Sequence, residues 1–201
     1  LCYGQTMHCN PVSLNPAMRP YTIFVDGISK AFAATGVRVG WSLGPAPVIA
    51  KMKAILSHLG AWAPMAEQKA TAKYLTQFDA INNYLTGFKT SVYERLSRIY
   101  HGILALKDKG YQVDAIAPQA AIYLTIKFDL TGKTKPDGTP LAQQSDVTQY
   151  LLEAAGLAIV PFSSFGGSKA SPWYRLSVGT CHLSDVEPMF ARLEAALKGL
   201  S

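Results

Sequence analysis

Apolar positions recur along this chain at two different periods, and the elements change where the period changes. Leu85, Phe88, Val92, Leu96, Ile99, Ile103 and Leu106 are spaced by threes and fours, which puts them on one stripe of a helix. The stripe predicts a helix of about 25 residues, close to 40 Å at the helical rise, with Lys109-Gly110 as its stop. A helix of that length can run from one domain into another. Upstream, Pro45 and Pro47 open a helix carrying Val48, Met52, Ile55 and Leu59, and a second helix is expected over Met65 to Phe78. The other period is two. Ile122, Leu124, Ile126 and Phe128 alternate with Tyr123, Thr125 and Lys127, which predicts a half-buried strand. Val37, Val39, Trp41 and Leu43 alternate with Arg38, Gly40 and Ser42 in the same way, so Arg38 is expected to lead a strand and share a face with Gly40. Tyr21 to Val25 reads as a short buried strand, and Gly27 to Gly36 as a loop with one helical turn.

Turn chemistry fills in the rest. Asn10-Pro11, Asn15-Pro16 and Arg19-Pro20 make the N-terminal stretch loop-like, and Pro136-Asp137-Gly138 turns a polar loop from Thr131 to Pro140. Ser145 is placed to cap a helix running to Ala155, and Ser184-Asp185-Val186-Glu187 to open a last helix through Leu197. Ala158 to Val160 and Trp173 to Val178 are short strands. Strands and helices alternate, so the class is α/β or α+β, with a boundary inside the long helix near Ser91.

Composition narrows the function classes. The 201 residues suffice for one domain or two modest ones, and 49% hydrophobic against 16% charged residues excludes a disordered tail. No apolar run approaches the ~20 residues of a membrane helix, so a soluble chain without a membrane partner is expected. Nineteen basic and 13 acidic residues give +6. The excess is spread out, without a basic block or helix face, which favours anionic small molecules over a nucleic acid. Cys2, Cys9 and Cys181 are an odd set with no CxxC pair, which fits a reducing, cytoplasmic location better than a disulfide framework. No signal peptide is visible, and a chain beginning at Leu1 is expected to be part of a longer one. His8, His58, His101 and His182 lack ligand spacing, so no metal site is expected.

The chemistry concentrates between Asp26 and Trp41. Lys30 and Arg38 lie eight residues apart, with small and apolar residues and one Thr-Gly turn between them. An amine in apolar surroundings gives up its proton more readily, because desolvation penalises the ammonium, and it can then form a Schiff base. A guanidinium beside a glycine that leaves room for a bulky anion suits a phosphate.

Gly27-Ile28-Ser29-Lys30, followed by Thr35-Gly36-Val37-Arg38-Val39-Gly40-Trp41, resembles the cofactor-lysine motif of class I/II aminotransferases. Three more stretches agree in order and spacing. Pro118 to Tyr123 resembles a Pro-x-Gly-Ala-Phe-Tyr strand, with alanine for the glycine. Val160 to Gly166 resembles a Val-Pro-Gly-x-x-Phe-Gly loop, with Phe162 for the glycine. Tyr174 to Ser177 resembles the strand that carries the substrate-carboxylate arginine. The resemblance covers nearly the whole chain and implies the α/β fold of type I pyridoxal-phosphate enzymes. Residues 1–90 would be the C-terminal part of the large cofactor domain, and 91–201 the small domain. It implies pyridoxal 5′-phosphate as cofactor, Lys30 as the residue that holds it and moves the substrate proton, and Arg38 on its phosphate. Ser29 would substitute for a serine that many relatives carry at the position of Gly27, and Arg175 would clamp the substrate carboxylate. The implied substrates are an L-amino acid and a 2-oxo acid, and the implied assembly is a homodimer. The family's pyridine-nitrogen aspartate, phosphate loop and first small-domain arm would lie before Leu1, so these residues alone are expected to be inactive. Another enzyme of the same fold, a carbon–sulfur lyase or a cyclopropane-forming synthase, shares Lys30, Arg38 and Arg175. An aminotransferase-like binding domain of a fused regulator is the non-enzyme alternative.

Overall fold

The computed structural model describes all residues from Leu1 to Ser201. Contacts divide the chain into two units: Met7–Phe88, and Lys89–Ser201 together with Leu1–Thr6. The division falls inside one continuous helix.

The first unit begins with a short helix α1 (Pro11–Leu14) and a 3-10 turn Pro16–Tyr21. Strand β1 (Phe24–Gly27) pairs antiparallel with β2 (Gly40–Leu43), in the register Phe24 to Leu43 and Gly27 to Gly40. Between them lie the one-turn helix α2 (Ile28–Ala31) and a 3-10 turn Thr35–Val37. Helices α3 (Ala46–Leu59) and α4 (Met65–Tyr74) follow. The expected strand at Tyr21 starts later, because Pro20 and Tyr21 belong to the preceding 3-10 turn. The strand expected from Val37 starts only at Gly40, because Thr35–Val37 closes a 3-10 turn and Arg38 follows it in the left-handed region at φ 59°.

The long helix α5 (Phe78–Asp108) runs 31 residues, longer than its apolar stripe because Phe78 to Tyr84 extend it at the N-terminal end. Val92, Leu96, Ile99, Ile103 and Leu106 are all buried, as the stripe requires. Gly110, at φ 92°, supplies the left-handed residue that ends it.

The second unit is a four-stranded antiparallel sheet in the order β3-β4-β6-β5: β3 (Val113–Ala115), β4 (Tyr123–Phe128), β5 (Val160–Pro161) and β6 (Trp173–Ser177). Helices α6 (Gln144–Ala155) and α7 (Val186–Lys198) complete it. Alternation decides the faces. Leu124, Ile126 and Phe128 of β4 and Tyr174 and Leu176 of β6 point into the core, which Val147, Leu151, Leu193 and Leu197 of the two helices join. Tyr123, Thr125 and Arg175 lie on the opposite, half-buried face. Leu1–Thr6 docks here: Tyr3 N–H donates to the Gln119 carbonyl at 2.9 Å, and the Tyr3 ring lies 5.1 Å from that of Tyr93.

Two helix starts differ from the sequence expectation. The box that opens α6 is Gln143 with Asp146, not Ser145; Asp146 accepts from the backbone N–H groups of Ala142 and Gln143. At the last helix the box is His182 with Asp185, one 3-10 turn before α7 begins. In both cases a carboxylate reaching back to free N–H groups, the reciprocal half of the box, was stronger than a serine hydroxyl. No helix is long and apolar enough to cross a membrane.

Candidate active site

Lys30 sits in the single turn of α2, directly after β1. Two things hold that turn. Ile28 is buried, and its N–H donates to the Val39 carbonyl at 3.4 Å. Phe32, just past the turn, packs edge-on against Tyr74 of α4 at 5.5 Å and stacks near Tyr84 of α5, which stacks on Phe88. These side chains direct Lys30 outward. It is exposed and makes no ion pair, so the apolar surroundings expected from its neighbours in sequence are not provided within this unit. Those neighbours, Ile28 and Phe32, turn inward instead. Ser29 is half-buried on the same turn.

Arg38 is not on the strand. It closes the Thr35–Val37 turn in the left-handed conformation, and its Nη1 donates back to the Thr35 carbonyl at 2.7 Å. The reason for Gly40 also differs from the expectation of room for an anion. A Cβ there would lie 2.9 Å from the Asp26 carbonyl oxygen of β1, and one on Gly27 would lie 3.0 Å from that of Val39. The two glycines face each other across the β1–β2 pair, so they allow a close backbone approach at the root of the lysine turn. The same contact accounts for glycine at position 27, where the resemblance leads one to expect serine.

The second unit holds Arg175. Three of the stretches singled out in the sequence converge on it. In β6 it pairs with Thr125 of β4 on one side and Val160 of β5 on the other. Its guanidinium carbon lies 4.4 Å from the ring centre of Tyr123 and 4.4 Å from that of Phe165. It makes no salt bridge within the chain. Tyr174, its neighbour on the strand, is core: burial pushes its hydroxyl up to about 12. Glu94 and Arg98 do not form the helical ion pair their spacing allows. Arg95 is instead the tethered arginine of α5, donating to the carbonyls of Val178 at 3.0 Å and Cys181 at 2.7 Å.

Residues 1–193 match the model of the aminotransferase class I and II family. The chain belongs to that family. An aspartate aminotransferase of Rhizobium meliloti (strain 1021) is 30% identical over 202 aligned positions, covering 100% of this chain and 47% of the relative. A solved Rhizobium meliloti aspartate aminotransferase superposes with a TM-score of 0.84 at 29% identity, covering 100% of this chain and 48% of the other. An aromatic aminotransferase from Pyrococcus horikoshii gives 0.82 at 25% identity, over 98% of this chain and 48% of that one. The chain therefore spans about half the length of the relatives it matches, and its α/β architecture is that of a fold-type-I fragment. Aminotransferases of this family depend on pyridoxal phosphate. The donor set of the first unit fits that group: a primary amine free to condense with an aldehyde, and a guanidinium whose Nη2 and Nε are not committed within the chain.

Tyr123 and Phe165 fall within two of the recognised motifs, which by themselves give neither residue a role. An aromatic residue in each of two stretches flanking an arginine strand was the available signal. For the buried Gln144 there was none, since a polar residue at a helix start is ordinary.

Proposed function

We propose that the protein carrying this chain is a pyridoxal-phosphate-dependent aminotransferase that moves an amino group from an L-amino acid to a 2-oxo acid. The observation that carries the reading is the Lys30 amine, exposed and unpaired at the end of β1 on the same unit as Arg38, in a chain of this family. The cofactor, when bound, supplies an aldehyde carbon and a ring that draws electrons from the substrate Cα. Lys30 would hold that carbon through Nζ and, as a free base, would carry the proton between the substrate Cα and the cofactor carbon. Arg38 holds the phosphate with the guanidinium edge that Thr35 leaves uncommitted, and Ser29 donates its hydroxyl to the same group. Arg175 takes the carboxylate common to amino acid and 2-oxo acid.

The assignment includes residues 1–90 as part of the large cofactor domain and 91–201 as the small domain. It also includes a homodimer in the cytoplasm without nucleic-acid or membrane partners. Exposed Ile55, Leu59 and Trp62 support burial of the first unit against further polypeptide, and the dispersed charge supports the absence of a nucleic-acid partner.

The test uses the natural polypeptide loaded with pyridoxal phosphate. Borohydride should fix the cofactor on Lys30 and on no other lysine, and 2-oxoglutarate should yield glutamate with an equal amount of the donor's 2-oxo acid. An adduct elsewhere overturns the lysine assignment. Product formed from the amino acid without any acceptor overturns transamination in favour of a lyase.

A further inference from the structure

We propose that Tyr123 and Phe165 are positioning residues that bracket the Arg175 guanidinium so that only its edge is offered to a carboxylate, and that Gln144 holds Phe165 in place. The inference rests on the reading of Arg175 as the carboxylate group and deepens it.

The strand order places the two rings on different sides. Tyr123 belongs to β4, one neighbour of β6, and sits two residues before Thr125, the partner of Arg175. Phe165 ends the 3-10 turn Phe162–Phe165 that follows β5, the other neighbour. Each ring centre lies 4.4 Å from the guanidinium carbon, the distance of a cation held over a π face. A guanidinium carries its N–H donors in its plane. With rings over its faces, the donors that remain point edgewise, the direction from which a planar carboxylate makes two parallel hydrogen bonds. Without the rings, a long side chain on an open sheet face would sample many orientations and lose that entropy on binding.

The Phe162–Phe165 turn needs an anchor of its own, because Phe165 is 53% exposed and belongs to a surface segment. Gln144, at the first position of α6, is 7% exposed. Its Oε1 accepts from the Ser163 hydroxyl at 2.5 Å, inside the turn, and its Nε2 donates to the Ser171 carbonyl, just before β6. One buried amide of α6 therefore ties together Ser163 and Ser171, the two ends of the segment that carries Phe165 and leads into the strand of Arg175. Phe162 supports the turn from within, its ring 6.4 Å from that of Phe165. Gly167 completes it: a Cβ there would lie 2.9 Å from the Phe162 carbonyl oxygen.

The experiment uses the loaded natural enzyme. It measures kcat, KM for amino acid and 2-oxo acid, competitive inhibition by propionate, which carries the carboxylate alone, and thermal stability. Phe165→Leu should raise both KM values and the propionate inhibition constant together by roughly three- to tenfold, with kcat within about twofold. Phe165→Tyr and Tyr123→Phe keep a ring over the guanidinium and should stay close to wild type. Gln144→Met, of similar length but without the amide, should shift KM and propionate inhibition in the same direction as Phe165→Leu. If Phe165→Leu leaves KM and propionate inhibition unchanged, or lowers kcat alone, the bracketing role is wrong. If Gln144→Met lowers stability while KM stays put, the amide is only structural and its part of the proposal falls. Should Phe165→Leu not fold, Tyr123→Leu reads the other ring with the same expected pattern and the same overturning result. Arg175→Ala separates this inference from the one beneath it. If that variant still binds propionate like wild type, Arg175 is not the carboxylate group. If it loses binding while the ring variants do not, only the bracketing fails.

Discussion

Arg38 shows how much a single residue's conformation can add to its charge. A non-glycine residue at φ 59° carries a steric cost of roughly 1 kcal/mol, and here the strand register and the Thr35 carbonyl contact hold it there. Two substitutions separate conformation from charge. Arg38→Ala and Arg38→Gly should both weaken pyridoxal-phosphate affinity by about 2–3 kcal/mol, the order of a charge-assisted contact. Arg38→Gly should be the more stable of the two by roughly 1 kcal/mol, because glycine takes the left-handed region without strain. Arg38→Lys should recover part of the affinity, since a point charge lacks the fork. Cofactor titration and denaturant unfolding of the three variants check this. Wild-type affinity in Arg38→Ala would remove the phosphate role. The left-handed turn was not legible in the sequence: Val37, Val39 and Trp41 keep strand alternation through it, and period two cannot register one residue that leaves the strand.

At the scale of elements, helix ends carry the clearest contrast between reading and structure. The apolar face of α5 follows from spacing alone, because burial of one stripe is a local property of the sequence. The start of α6 does not. Ser145, Gln143 and Asp146 are all polar and all near the right place, and the selection was made by which side chain reaches two backbone N–H groups at once. Asp146 does, at 3.0 Å and 3.1 Å; the Ser145 hydroxyl turns toward Asp146 Oδ1 at 3.4 Å. Asp146→Ala should therefore cost about 1 kcal/mol, and Ser145→Ala should fall within roughly 0.5 kcal/mol of wild type. Chemical denaturation of both variants decides; equal losses would restore Ser145 as the cap.

For the whole molecule, the titration pattern sets the pH limits of the fold. Asp114 is held below the usual carboxylate range chiefly by its hydrogen bond from Lys107, Glu194 by that from Lys109, and Asp137 by the backbone N–H of Thr139. A lowered carboxylate contributes stability that is present above its unfolded value and lost as pH falls through the folded one, so acid should weaken the second unit below about pH 4. Asp137 is exposed and Asp114 and Glu194 are only half-buried, so the acid limb should be shallow and flattened by salt. The alkaline limb has another source. Burial raises Tyr3 and Tyr174 to about 12. Between the ordinary tyrosine value of about 10 and that point, the unfolded chain loses protons the folded chain keeps, so stability falls as pH rises. Unfolding midpoints followed against pH, with tyrosinate absorbance, should show the loss setting in above pH 10. Replacing Tyr174 by Phe should remove part of it.

The residues taken alone determined more of this protein's chemistry than of its geometry. Lys30 and Arg38 stood out because an amine and a guanidinium in their particular neighbourhoods carry chemical meaning without coordinates, and Arg175 stood out only through the resemblance of its strand. The core strand Tyr123–Phe128 and the stripe on Phe78–Asp108 stood out because one-sided burial imposes a period. Tertiary structure decided what depends on distant parts of the chain meeting. It brought the rings of Tyr123 and Phe165 each to 4.4 Å from the Arg175 guanidinium carbon, and it placed Gln144 between Ser163 and Ser171. It set Gly40 against the Asp26 carbonyl for backbone approach rather than ligand room, and it turned Lys30 outward while Ile28 and Phe32 turned in. Periodicity reports which face of an element is buried. Which partners share that face depends on strand order and register, and these arise from the packing of the whole unit.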